Sequence, residues 1–449
     1  MQNDVKKGIT GRHTGKQRPG PSQCWEFSFY LQNRQPRIKQ SILKLKFYLF
    51  IAVYSLSCLG SYGQTDSLIA LPDSIPPHKQ RDIRDVVHHI FNPQQPVTDS
   101  NVQIKDTRRH YSFVPALGYT LQTGFAGIAS VNMAYYNDLE KNTKQSSIST
   151  NVTYSQYHQI IIPFLADIWT KANRYNFITD IRYISYPSAI YGLGGRTDPN
   201  KGVTINFSGL KIHQTVMKAL SENIYVGIGY YFDKFWNIKT LDRVSRGVNH
   251  LISRELGNQE TASGPAFRFL YDTRLNQLNP QQGVYYSISY RTNMTALGSD
   301  SGSQALQIDA RTYFHFPANS KNVLALWNFD WLTTTGTPPY LALPSTGWDD
   351  SYNTGRGYIQ GRFRGRKMIY FESEYRFGIT NNGLLGGVAF VNIENFSSDL
   401  SAEYSKLFPG YGVGLRIKLN KYSGANLCVD YGFGQNGSHG FFVNLGEVF

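Results

Sequence analysis

Cysteine is nearly absent from this 449-residue chain, which holds only Cys24, Cys58 and Cys428. A single cysteine beyond the first 60 positions excludes a disulfide framework in the main body, and Cys428 reads as a small buried residue. Beyond that N-terminal segment no run approaches 18 apolar residues, which excludes membrane-spanning helices, since these need roughly 20. Acids are scarce at the N-terminus. Positions 1–46 hold ten Lys/Arg against two Asp/Glu, so +8 of the formal +14 sits there and about +6 remains for the rest. The high pI therefore says little about the body, and without a basic-aromatic motif no nucleic-acid partner is expected. No Gly-x-Ser-x-Gly elbow occurs, and no Ser/His/acid set has workable spacing. His213 and His315 stand alone. No catalytic residue, metal site or cofactor is expected, and a barrel enzyme such as a lipid hydrolase is the weakest reading.

What is present begins with an export pattern. Lys39, Lys44 and Lys46 precede the apolar run Phe47–Leu59, and small residues follow at Gly60, Ser61 and Gly63. A basic flank, a run of that length and a small-residue exit predict a secretory signal peptide cleaved near Gly63. Cys58 invites a lipoprotein reading, but Ser55 stands where a lipobox wants Leu. Residues 1–63 are thus read as leader and signal. Residues 64–108 are read as a short periplasmic linker with one helical candidate, Ile83, Val86, Val87 and Ile90. His88 and His89 are adjacent, so on a helix they diverge by about 100° and suit no shared metal.

From 109 to 449 the pattern is period two. Val413, Leu415, Ile417 and Leu419 oppose Arg416 and Lys418; Leu306, Ile308, Ala310 and Phe314 oppose Gln307, Asp309, Arg311 and His315. Large charges recur on the polar face, which suits a wide wet lumen, and aromatics such as Trp327, Phe329 and Trp331 on the apolar face suit the membrane interfaces. Backbone groups in lipid need partners, so the sheet must close. The expectation is an all-β transmembrane antiparallel barrel of about sixteen strands, located in the outer membrane and bathed in its lipid. Segments 237–262 and 336–366 read as long connections. At the chain end, Phe441, Val443, Leu445 and Phe449 share one face, as in the terminal recognition signal of outer-membrane barrels, with Glu447 interrupting the row. Barrel assembly machinery is therefore an expected partner during biogenesis.

The connection 336–366 contains Gly355-Arg356-Gly357-Tyr358-Ile359-Gln360-Gly361-Arg362-Phe363-Arg364-Gly365. This resembles the Arg-Gly-Tyr/Phe loop of the BamA/TamA-like outer-membrane assembly and translocation barrels, the bacterial surface antigen family. Tyr271-Asp272-Thr273-Arg274 with Asn279-Pro280 and Gly283, Gly412-Val413-Gly414-Leu415-Arg416, and Asn444–Phe449 resemble further signatures of that family, in order. The resemblance implies that the loop between strands eleven and twelve folds into the lumen, where acids on the wall hold its arginine. Arg356 is accordingly expected to pair with Glu372, Glu374 or Asp430, which strand parity turns inward; Glu394 is inward too. A planar guanidinium suits several carboxylates at once. Asn392 stands where the family carries Asp, so its contact with Arg356 would be a neutral hydrogen bond, with Glu394 one pleat away as a substitute acid. The interval 64–108 is too short for a complete periplasmic POTRA domain, so the resemblance is to a barrel-only relative. The implied role is passage or insertion of protein or lipid, through a plugging loop and a weak seam between first and last strands, with a periplasmic protein as a possible partner. A plugged pore, receptor or membrane anchor is the alternative.

Overall fold

The structure, a computed structural model, describes residues 80–91, 107–139, 143–241, 256–400, 406–421 and 423–449. The leader and signal segment 1–63 lies outside the described residues. A short helix, α1 (Ile83–Phe91), precedes the strands. These are β1 (His110–Thr120), β2 (Gly124–Tyr135), β3 (Ser146–Ser155), β4 (Ile160–Trp169), β5 (Tyr175–Ser185), β6 (Ser188–Ile190), β7 (Val203–Ser221), β8 (Ile224–Thr240) and β9 (Gln259–Asp272). They continue as β10 (Gly283–Asn293), β11 (Ser303–His315), β12 (Val323–Gly336), β13 (Lys367–Gly378), β14 (Leu385–Ser397), β15 (Phe408–Lys418), β16 (Asn426–Phe433) and β17 (His439–Leu445).

Each strand pairs antiparallel with its neighbours in the chain, from Ala116↔Ile128 in β1–β2 to Val429↔Val443 in β16–β17. β5 and β6 lie end to end along β7, separated at Tyr186-Pro187, where proline has no N–H for a ladder. Counted as one stave they make a barrel of sixteen. Among the described residues no backbone ladder joins β1 to β17. The two edges meet through side chains: Tyr119 packs edge-on against Phe441 at 6.4 Å, and Leu121 fills the space over Gly440. The barrel is nearly closed, with a seam.

Turns alternate between the two ends. One end carries 337–366 and 186–202; at the other, no connection exceeds ten residues. The part of 237–262 expected to be loop is partly strand, because β8 runs on to Thr240 and β9 begins at Gln259. The alternation simply continues past the thickness a membrane requires.

Helix α1 docks on the short-turn end. Asp82 caps it, accepting from the Arg84 and Asp85 amides at 3.0 and 3.1 Å. The Lys421 amide donates to Asp82 at 3.1 Å, the Lys421 ammonium meets Asp85 at 3.2 Å, and the Arg81 amide donates to the Asn382 carbonyl at 2.9 Å. Ile83, Val87 and Ile90 point away from this polar contact and are exposed.

Two expected faces are reversed. Trp327, Phe329 and Trp331 do not meet lipid. Trp327 pairs across the ladders with Arg311 and Glu372, donates from Nε1 to Asp309 at 2.9 Å, and is buried with Phe329 in a core inside the barrel. The residues of β12 that face outward are Leu324, Leu326, Asn328, Asp330 and Leu332. A loop in the lumen supplies a second hydrophobic core, so the apolar row of a strand can belong inside. Phe449, for its part, leaves the face of Phe441, Val443 and Leu445. The strand ends at Leu445, Gly446 adopts φ +86°, and parity is lost. Phe449 then stacks on Trp327 at 5.1 Å, while Glu447 turns inward to Arg416 at 2.7 Å.

Candidate functional site

The connection 337–366 leaves β12 and returns to β13, yet it touches strands all round the barrel. Leu341 donates from its amide to Glu260 on β9 at 2.8 Å. Arg182 on β5 donates to the Asp350 carbonyl at 2.6 Å, and Lys211 on β7 meets the Asp350 carboxylate at 3.0 Å. The Tyr358 hydroxyl donates to the Pro409 carbonyl on β15 at 2.7 Å and accepts from the Gln435 amide at 3.0 Å. A segment with partners on opposite walls runs through the interior.

Arg356 sits at its innermost contact, 1% exposed. Its Nη1 donates to Asp430 on β16 at 2.5 Å, and its Nη2 donates to both Glu372 and Glu374 on β13. Its guanidinium lies 3.7 Å from the centre of the Phe390 ring. The three acids converge because 372 and 374 are two apart on one strand and Asp430 comes from a facing stave; period-two geometry directs all of them inward. Burial opposes the charge on Arg356, but Glu372, Glu374 and Asp430 outweigh it and hold its pKa above the ordinary value. Burial likewise pushes the Tyr358 hydroxyl up to about 12, so it stays a donor under neutral conditions.

The glycines set the approach. Gly357 has φ +110°, and a Cβ there would lie 2.6 Å from the Phe433 carbonyl oxygen. Gly355 has φ +78°, with Thr346 and Glu394 against it. Gly361, at φ +79°, makes the turn that lets its amide reach the Thr346 carbonyl at 2.9 Å.

The remaining residues have other partners. Asn392 donates to the backbone carbonyl of Arg356 at 2.8 Å and does not meet the guanidinium. Glu394 does not reach Arg356 either; it is fully buried and accepts from the Thr346 hydroxyl at 3.1 Å. Arg362 donates to Thr197 at 2.8 Å, and Arg364 to the carbonyls of Tyr340, Leu341 and Leu343 at 3.0–3.2 Å.

Sequence reasoning missed a second tier. Arg416 donates to Asp430 at 2.5 Å and to Glu447 at 2.7 Å, and Arg376 meets Glu374 at 2.7 Å. The Tyr370 hydroxyl donates to Glu372. Glu372, Glu374, Asp430 and Glu447 thus surround Arg356, Arg376 and Arg416, leaving one carboxylate in excess of the guanidinium groups, with the Tyr370 hydroxyl as an added donor. Arg376 and Arg416 share the inward parity of the acids, and that parity was the signal available for finding them.

On the other side of the loop a cavity of about 110 Å³ remains, lined by Lys211, His213, Asp233, Arg291, Trp348 and Tyr352 among others. His213 is not isolated: its Nε2 meets Asp233 at 2.9 Å and its ring stacks on Tyr231 at 4.1 Å.

Comparison with solved structures finds distant matches. The barrel of BamA from Haemophilus ducreyi lacking POTRA domains 1–3 covers 74% of this chain and 70% of its own, at 15% identity and TM-score 0.49. CdiB from Acinetobacter baumannii covers 76% of this chain, at 14% identity and TM-score 0.49. CdiB from Escherichia coli covers 75%, at 10% identity and TM-score 0.50. This chain spans 60% and 62% of those two CdiB chains. At 10% identity the Escherichia coli CdiB match speaks to the fold alone. No curated protein matches the sequence. Residues 144–449 match the Omp85 superfamily domain. The chain therefore belongs to the Omp85 superfamily of outer-membrane β-barrels.

Proposed function

We propose that this protein is a member of the superfamily in which segment 337–366 plugs the lumen and governs passage or insertion of protein or lipid at the outer membrane. The single observation that carries the reading is the buried Arg356 group with Glu372, Glu374 and Asp430. A guanidinium shared by three carboxylates from two staves is far more than a surface loop needs, since exposed ion pairs contribute little. Its natural use is to hold a movable segment in one seat. In this reading residues 1–63 direct export and are removed, 64–108 form the periplasmic approach that contains α1, and any client arrives through a periplasmic partner. Neither cofactor nor catalysis has a part in it.

A plugged pore, receptor or anchor is the second reading, favoured by the cavity left beside the loop, which Lys211, His213, Asp233 and Arg291 help to line. Depletion of the protein followed by profiling of the outer-membrane proteome separates the two. A changed set of barrels or lipids supports assembly. An unchanged profile, with conductance in planar bilayers that rises when 350–366 is deleted, supports the plugged pore and overturns the assembly role.

A further inference from the structure

The connection 273–282 joins β9 to β10 at the short-turn end and carries Asn279-Pro280. Its own bonds fix its shape. Arg274 is held by Asp272 at 2.9 Å and lies 4.2 Å from the centre of the Tyr285 ring. The Asn276 side-chain oxygen accepts from the Leu278 and Asn279 amides at 2.8 and 3.0 Å, which sets the tip as a tight turn.

Its other partners lie far round the barrel, since four staves stand between β10 and β15. The Asn276 and Asn279 side chains donate to the Ser423 and Gly424 carbonyls at 2.7 and 3.0 Å. Gly424, at φ +73°, allows the approach, for a Cβ there would stand 3.2 Å from the Asn276 nitrogen. The Leu278 carbonyl accepts from the Glu447 amide at 2.8 Å, and the Pro280 carbonyl accepts from Arg376 at 3.4 Å. Arg376 and Glu447 face the interior, where their side chains meet at 3.6 Å. A turn that bonds to both residues lies across the mouth of the lumen and not outside its rim.

These contacts continue into segment 337–366. Asn353 donates to the Val448 carbonyl at 2.6 Å. Arg376 donates to the Phe449 main-chain oxygen at 2.9 Å and to one oxygen of Glu374 at 2.8 Å, while the other oxygen of Glu374 holds Arg356. The tail 446–449 is therefore gripped by 337–366 on one side and by 273–282 on the other.

We propose that 273–282 is a second closure of the lumen, a strap over the short-turn mouth, and that Arg376 and the tail 446–449 couple it to segment 337–366 so that the two open together. Neutral hydrogen bonds hold most of the strap, and each contributes little against water. The strap therefore stays shut only while the tail stays in place. What the strap closes rests on the plug reading of 337–366; the coupling rests on the contacts alone.

The test is the rate at which a bulky, membrane-impermeant maleimide labels Asn279→Cys in the full-length, detergent-solubilised chain. Asn279 is 9% exposed, and the parent chain, in which Cys428 is buried, gives the background. Pro280→Cys, which spares both asparagines, is a second reporter. Labelling is expected to be slow in both. Arg376→Met removes the bonds to the Pro280 and Phe449 oxygens and accelerates it about tenfold, as loss of charge-assisted hydrogen bonds predicts. If that variant fails to fold, as heat-modifiable mobility shows, Arg376→Lys is read in the same way, because it keeps the charge beside Glu374 and loses the fork that reaches both oxygens. Deletion of 350–366 removes Asn353 and Arg356, neither of which bonds to 273–282 among the described residues, and is expected to accelerate labelling equally. Fast labelling of both reporters in the otherwise unaltered chain, or a deletion that leaves labelling slow, would overturn the inference. Accelerated labelling with bilayer conductance unchanged by the deletion would support the coupling and refute the plug reading alone.

Discussion

Replacing Arg356 with alanine removes the cation that joins Glu372 to Glu374 and Asp430. Arg376 remains on the far oxygen of Glu374, and Arg416 remains on the far oxygen of Asp430, lying only 3.5–3.6 Å from the two oxygens that Arg356 held. Glu372 is left with the Tyr370 hydroxyl alone. Breaking a buried ion pair by deleting one partner costs about 3–5 kcal/mol, because the other charge stays desolvated. Loss of the cation–π contact with Phe390 adds about 1 kcal/mol. If the seated and released states of 337–366 exchange, the balance moves toward release by roughly a hundredfold or more, at about 1.4 kcal/mol per factor of ten. Limited proteolysis of the detergent-solubilised barrel measures this directly, since cleavage inside the loop reports the released fraction. The expected outcome is rapid cutting between 337 and 366 while the strands stay protected. A compensating variant fixes the cause. Arg356→Met with Glu372→Gln and Glu374→Gln removes the stranded charges, and most of the protection returns. An Arg356→Ala barrel cut no faster than the parent would refute the reasoning. So would a triple variant as labile as the single one, because the loss would then owe nothing to charge.

Three further outcomes are expected. Gly357→Ala places a methyl group 2.6 Å from the Phe433 carbonyl at a φ of +110°, so the loop loses protection by about 1–3 kcal/mol, read by the same proteolysis. Tyr358→Phe removes two backbone hydrogen bonds and costs about 1–2 kcal/mol in a loop-protection assay. The hydroxyl, pushed up from its free value to about 12, contributes fully below the unfolded tyrosine pKa of about 10 and loses that contribution as pH rises through 12; the phenylalanine variant shows no such alkaline step. Lys421→Met frees α1 from the short-turn end by stranding Asp85, at about 3 kcal/mol. Cleavage near Ile83–Phe91 then accelerates while the heat-modifiable mobility of the barrel is unchanged.

The staves were legible in the sequence because period-two alternation is a local property and turn residues punctuate it. The connection between the eleventh and twelfth staves fell at 337–366 for the same reason. What alternation cannot state is which of its two faces meets lipid. Trp327, Phe329 and Trp331 look like a membrane belt, and only the loop packed inside the barrel makes them core. Phe449 escaped for a related reason, since parity counts only as far as the backbone stays extended, and Gly446 ends it. The meeting of Arg356 with Glu372, Glu374 and Asp430 could be anticipated from inward parity together with the motif. The positions of Asn392 and Glu394 could not, because one bonds a backbone carbonyl and the other a threonine hydroxyl, and neither partner follows from spacing.

A ring cut at one place holds its shape only if something spans the cut. Here the cut is the seam between β1 and β17. The lumen segment grips β16, one stave from the cut on one side, through Arg356, and β5 and β7 on the other side through the contacts of Arg182 and Lys211 with Asp350. It is therefore a tie-rod, in addition to the plugging role proposed for it. Any force that spreads the two edges must stretch this chord, and releasing the chord relaxes the hoop at its weakest point.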